Sequence, residues 1–151
     1  MTGYGPSIAP QPGTAPWRDL ASLFGRVGLG LVFVWSGYGK FADMAPTIGY
    51  MQAHGMAAAD FLIWPAALVE MAAGALLIAG WSARWAALAL AAFTVAATLI
   101  FHTYWNAAPD LALNQQIQFM KNLAILGGLL TVFAHGSGRY SLDRWERGDS
   151  A

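Results

Sequence analysis

The sequence predicts an all-α membrane protein: four transmembrane helices in an antiparallel bundle, with a short interfacial helix between helices one and two. Three observations carry this reading. Of the 151 residues, 57% are hydrophobic and only 11% charged, where soluble domains average about 45–50% and about 25%. Four apolar runs each approach the roughly 20 residues that cross about 30 Å of hydrocarbon. None of them alternates with the period of two that barrel strands require.

The elements follow in order. Residues 1–16, MTGYGPSIAPQPGTAP, are rich in Pro, Gly, Ser and Thr and read as a disordered N-terminal tail. They lack the basic and apolar regions of a cleavable signal peptide, so the first apolar helix is expected to serve as the insertion signal. Residues 17–145 form the transmembrane domain, and 146–151 a C-terminal tail. The four spans are Leu20–Phe41, Phe61–Gly80, Ala83–Trp105 and Ile117–His135. Gly80, Trp81 and Ser82 leave room only for a tight hairpin between spans two and three. The stretch Pro46 to Gly55 starts with a residue suited to a first helical turn and ends with one suited to a helix end. It predicts the interfacial helix, with Ile48 and Met51 facing down. Asn106 to Gln116 carries Pro109 and Asp110 and reads as a polar loop.

Charge placement predicts orientation. Arg18, Arg84, Arg139, Arg144 and Arg147 fall on one side, with Arg26 about two turns into helix one. Asp43, Asp60 and Asp110 fall on the other. Cytoplasmic loops carry the Lys and Arg excess. The expectation is a multi-pass protein of the bacterial inner membrane with both termini cytoplasmic. Trp17, Trp81, Trp85, Tyr104 and Trp105 lie where interfacial aromatic belts lie.

Several chemistries drop out. The chain has no cysteine, hence no disulfide framework, iron–sulfur cluster or thiolate zinc site. The formal net charge is zero, so there is no basic patch for nucleic acid. Of three histidines only His102 falls at a buried bundle position, and bis-histidine haem needs two. No His, Asp and Glu cluster has metal spacing. There is no phosphate loop or nucleophile elbow. No haem, metal or iron–sulfur cofactor is expected.

The polar residues at bilayer depth are the informative set: Arg26, Ser36, Lys40, Glu70, His102, Gln118, Lys121 and Asn122. Each charge there costs about 2.5–3.5 kcal/mol on the insertion scale, so it must be paired, line a cavity or reach water. Glu70 lies mid-way along helix two, about 14 Å from either end, too deep to reach water. It must hold a proton or meet a cation. Lys40 closes helix one and Lys121 opens helix four, and either can turn inward to Glu70 or outward to the interface. Gln118, Lys121, Asn122 and Ile125 share a face of helix four. Arg26 reads as an anchor that snorkels to the nearer surface. The glycines of helix one and the alanines of helix three have the spacing that permits close helix packing. Together these positions predict a polar pocket toward the non-cytoplasmic side, with Glu70 at its floor.

The chain resembles the DoxX family of small four-helix membrane proteins from about Leu23 to Trp145. The resemblance rests on GRVGLGLVFVWSGYGKF, LVEMAAGALLIAGW, ATLIFHTYWN, QFMKNLAILGGLL and GRYSLD. It implies a membrane part of an oxidoreductase assembly. The family name comes from a subunit linked to archaeal terminal quinol oxidation, and a relative belongs to a thiosulfate:quinone oxidoreductase. The family's recurring polar positions fall on Lys40, Glu70, His102, Lys121 and Asn122.

The leading expectation is a redox-associated subunit that binds a quinone or small oxidisable molecule, as part of a quinone-linked oxidoreductase. Glu70, His102 and Lys121 would be the catalytic groups, with Glu70 and His102 exchanging protons. Lys40 and Lys121 would stabilise negative charge, and Gln118 and Asn122 would orient a carbonyl. Two other readings fit the same residues: a non-enzymatic anchor for a soluble oxidoreductase, and a small proton-coupled transporter. Expected partners are the lipid bilayer, a redox partner protein and further copies of the chain, with no nucleic acid.

Overall fold

A computed structural model describes residues 16–146. Apart from Pro16 and Glu146, the two tails expected from the sequence lie outside the described residues. The elements are α1 (Pro16–Ala42), α2 (Ala45–Ala53), α3 (Ala59–Ala79), α4 (Ala83–Phe101), a 3-10 turn (Tyr104–Asn106), α5 (Pro109–His135) and α6 (Leu142–Glu146). No strand occurs among the described residues. Four helices are long and apolar enough to cross a membrane, as the apolar runs predict.

One boundary differs from the sequence reading. The third span runs Ala83–Asn106 as α4 followed by the 3-10 turn, but the expected polar loop Asn106–Gln116 is mostly helix, because α5 starts at Pro109. Pro109 pre-sets the first helical turn, and Asp110 faces the positive helix end. Asn114, Gln115 and Gln116 are therefore helical, one or two turns below the start of α5. The interfacial helix is present as α2, and Met51 and Ile48 do face down, packing with Ala59 and Ile63.

The bundle has one tight seam. A Cβ added at Gly30 of α1 would lie 2.6 Å from Ile78 Cγ1 and 2.7 Å from the Gly74 carbonyl. One added at Gly37 would lie 2.6 Å from Met71 Cγ. The backbones of α1 and α3 approach too closely for any side chain there, which is how small residues drive helix association in lipid. Gly28, two residues from Gly30, has open space. Gly30→Ala is thus expected to cost about 1–3 kcal/mol through overpacking, with Gly28→Ala near neutral. Thermal unfolding of the two variants in detergent checks the difference.

The Arg-bearing end is closed by the chain terminus. Gly80 adopts a left-handed conformation (φ 70°), and the Gly80 and Trp81 amides donate back to the Leu77 and Leu76 carbonyls, a Schellman-type stop. Asp143 of α6 reaches across to accept from the Ser82 and Ala83 amides at 2.6 and 3.1 Å. It caps α4, whose first amides have no intrahelical acceptor. The Asp143 amide donates to the Gly80 carbonyl at 2.9 Å, so GRYSLD is a docked strap over the hairpin.

Arg26 corrects the sequence reading. It does not snorkel; it is 1% exposed and turned into the bundle. Its guanidinium donates to the Leu77, Ile78 and Tyr140 carbonyls at 2.6, 2.5 and 2.6 Å. The last carbonyls of α3 form the negative end of that helix, and a cation there is favoured. The returning strap supplies the third acceptor and closes the site from water.

Candidate functional site

The opposite half of the bundle is not filled by apolar side chains. Between α1, α3, α4 and α5, beneath α2, lies a cavity of about 560 Å³. That is within the usual range for small-molecule sites, about 300–1,000 Å³. Its wall is largely apolar, with Ser36, Lys40, Glu70, Thr94, His102 and Asn122 among the polar groups on it.

Glu70 is 4% exposed. It sits on the buried face of α3, one turn from Ala67 and Ala73. The tight α1–α3 seam holds α1 against this face and brings its last turn alongside. Lys40 Nζ donates to Glu70 Oε2 at 2.6 Å and to Ser36 Oγ at 2.9 Å. Ser36 Oγ donates to Glu70 Oε1 at 3.0 Å. Both carboxylate oxygens are thus partnered in a closed ring with no net charge. The cation that meets Glu70 is Lys40, four residues beyond Ser36 on the same helix face. An ammonium has three donors, and two are used in the ring.

The other wall is built from α4 and α5. Asn122 Nδ2 donates to Thr98 Oγ1 at 2.9 Å. Thr98 and Thr94 each donate to the carbonyl four residues back, so they sit in a helix buried without free hydroxyl protons. Asn122 keeps its second N–H and its carbonyl oxygen. His102 ends α4, and its Nδ1 lies 2.9 Å from Gln115 Oε1. A carbonyl oxygen only accepts, so Nδ1 is the donor in this contact and Nε2 takes no part in it. Sequence reasoning missed Gln115 because it took that stretch for a loop. The buried pair Thr94 and Thr98, spaced by four on an otherwise apolar helix, was a legible signal for the wall.

Four of the six predicted site residues line this one cavity: Lys40, Glu70, His102 and Asn122. Gln118 and Lys121 do not. Lys121 faces outward on α5, a helix whose only buried residue is Leu129. On the helix face shared by Gln118, Lys121 and Asn122, Asn122 bonds to Thr98 of α4, Gln118 is half-buried and Lys121 is exposed.

The DoxX family model matches residues 21–103, which runs from within α1 through α4 and includes Ser36, Lys40, Glu70 and His102. The chain belongs to the DoxX family. Like its relatives it is an integral membrane protein. It is 34% identical over 127 residues to the inner membrane protein YqjF of Escherichia coli K12, covering 84% of this chain and 92% of that one. It is 29% identical over 127 residues to the inner membrane protein YphA of the same organism, covering 84% and 91%. No solved structure matches this DoxX chain.

Proposed function

We propose that this DoxX protein is a redox-associated membrane subunit whose cavity takes a quinone or a small oxidisable molecule. The observation that carries the reading is one apolar cavity with two polar stations on different walls: Lys40–Glu70–Ser36 on α1 and α3, and Asn122 with His102 on α4 and α5. A flat ring with carbonyls at both ends suits such an arrangement. The free N–H of Asn122 orients one carbonyl. Lys40 balances negative charge that develops at the other. His102 Nε2 takes up or returns a proton, and Glu70 is the second proton-exchanging group. The electrons pass to or from a partner oxidoreductase. Lys121 and Gln118 have no part in this reading.

The test is quinone binding to purified protein. Glu70→Gln and His102→Ala are expected to weaken it. If both bind as tightly as wild type, the pocket assignment fails. Gln115→Leu frees the His102 ring to take either tautomer and is expected to lower affinity about fivefold to tenfold, the worth of one hydrogen bond.

The Arg-bearing end, with both termini, is assigned to the cytoplasm and the cavity end to the opposite face of an inner membrane. The support is the arginine asymmetry together with the relatives' location. Because the chain has no cysteine, single-cysteine labelling reads this directly. A cysteine at Gln52 is expected to react with a membrane-impermeant maleimide added from outside spheroplasts. One at Ser82 should react only after lysis, and the reverse pattern would refute the orientation.

A further inference from the structure

We infer that the cavity opens sideways into the lipid, between α3 and α4, and that its ligand is a membrane-dissolved amphiphile. The polar head rests at Lys40, Glu70 and Asn122, and the hydrocarbon tail leaves through the α3–α4 groove. This deepens the quinone reading and rests on it.

The two helices meet closely at the Arg-bearing end. There Ala73 and Leu77 of α3 pack with Ala83, Ala86, Ala87 and Leu90 of α4 in one core cluster. Toward the other end, that interface gives way to the cavity. On α3 the lining residues Pro65 and Val69 lie about 140° and 100° around the helix from Glu70. On α4 Ala96 and Ile100 each follow a buried threonine, Thr94 and Thr98, by two residues, which places them about 160° around the helix. All four are exposed, Val69 at 36% and Ile100 at 42%. The cavity wall therefore continues past the inner faces of both helices onto their outer rims. These rims lie within the apolar spans, so the mouth meets acyl chains.

The end facing water is covered. Tyr50 and Met51 of α2 line the cavity, and Tyr50 OH donates to the Phe101 carbonyl at 3.3 Å. Its ring packs on that of Phe101, with centroids 5.5 Å apart. The polar groups sit inside and the groove side is apolar, which matches a molecule with a hydrogen-bonding head and a long hydrocarbon tail.

The experiment compares two benzoquinones with the same ring in purified protein in nanodiscs, one with a methyl and one with a decyl substituent. Wild type is expected to bind both. Ala96→Trp and Val69→Trp, placed on opposite rims, crowd the mouth and should weaken the decyl ligand about tenfold more than the methyl one. Leu99→Trp, on α4 at the same depth but outside the cavity lining, should leave the ratio unchanged. If both rim variants keep the wild-type ratio, the sideways opening is overturned while the pocket reading stands. If wild type binds neither quinone, the quinone reading falls and this inference with it.

Discussion

Lys40→Met is expected to destabilise the protein by about 3–5 kcal/mol, the usual consequence of removing one partner from a buried ion pair. Glu70 would keep only the Ser36 hydroxyl, and it is only 4% exposed. Glu70→Leu should cost less. Lys40 is in the last turn of α1, and its four-carbon stem can carry the ammonium outward to the interface. The double variant Lys40→Met/Glu70→Leu leaves no charge behind, and apolar replacements of buried ion pairs are often neutral. It should be more stable than either single variant. A double-mutant cycle by thermal unfolding in detergent measures this. If the two single costs simply add in the double variant, the pair is not coupled as its 2.6 Å contact requires. The same double variant should have lost quinone binding, which separates the stability of the site from its use.

Arg26→Leu is expected to be at least as damaging, and at the other end of the molecule. Three short hydrogen bonds from the guanidinium hold the C-terminal turn of α3 and the strap at Tyr140 together. Bonds to a charged group are worth about 1.5–3 kcal/mol each, so the loss should reach about 4 kcal/mol or more. Arg26→Lys should rescue little. An ammonium lacks the planar fork that spans separated acceptors. The readout beyond melting temperature is limited proteolysis. With the strap released, trypsin should cut after Arg139 faster than in wild type, while spans inside detergent stay protected. Unchanged cleavage and melting would mean that Arg26 does not hold the strap. Gly80 supports the same junction: a Cβ there would lie 2.6 Å from both Arg26 Nη1 and Ser141 Cβ.

Much of the fold was legible because bilayer chemistry is one-dimensional. Length and apolarity decide what spans, and Pro, Gly and charge decide where spans start and stop. That logic found the four helices, the hairpin at Gly80 and the interfacial helix with Met51 inward. It misplaced the start of α5, because polar Asn114, Gln115 and Gln116 look like a loop when depth is judged by composition. The helix instead carries them, and that places Gln115 against His102.

The cost of charge in lipid likewise picked out a short set of residues, four of which line one cavity, but not where each points. Lys40 lies in the last turn of α1 and Arg26 about three turns in from its start. Each turns inward, since each finds buried acceptors that belong to distant parts of the chain: carbonyls of α3 and the strap for one, Glu70 for the other. Lys121 turns outward for the opposite reason. It is exposed on α5, while Asn122 beside it bonds to Thr98 of α4.

The sequence by itself determined that the chain spans the membrane four times and that Glu70 must be neutralised within it. Those conclusions depend on depth along a helix, which residue number measures at 1.5 Å per step. Which lysine meets Glu70, where Arg26 points and which polar groups share a cavity were decided only by the tertiary structure. Those depend on the rotation and spacing of helices about one another. The close seam at Gly30 and Gly37 and the strap over Gly80 set them, through contacts between residues far apart in the chain.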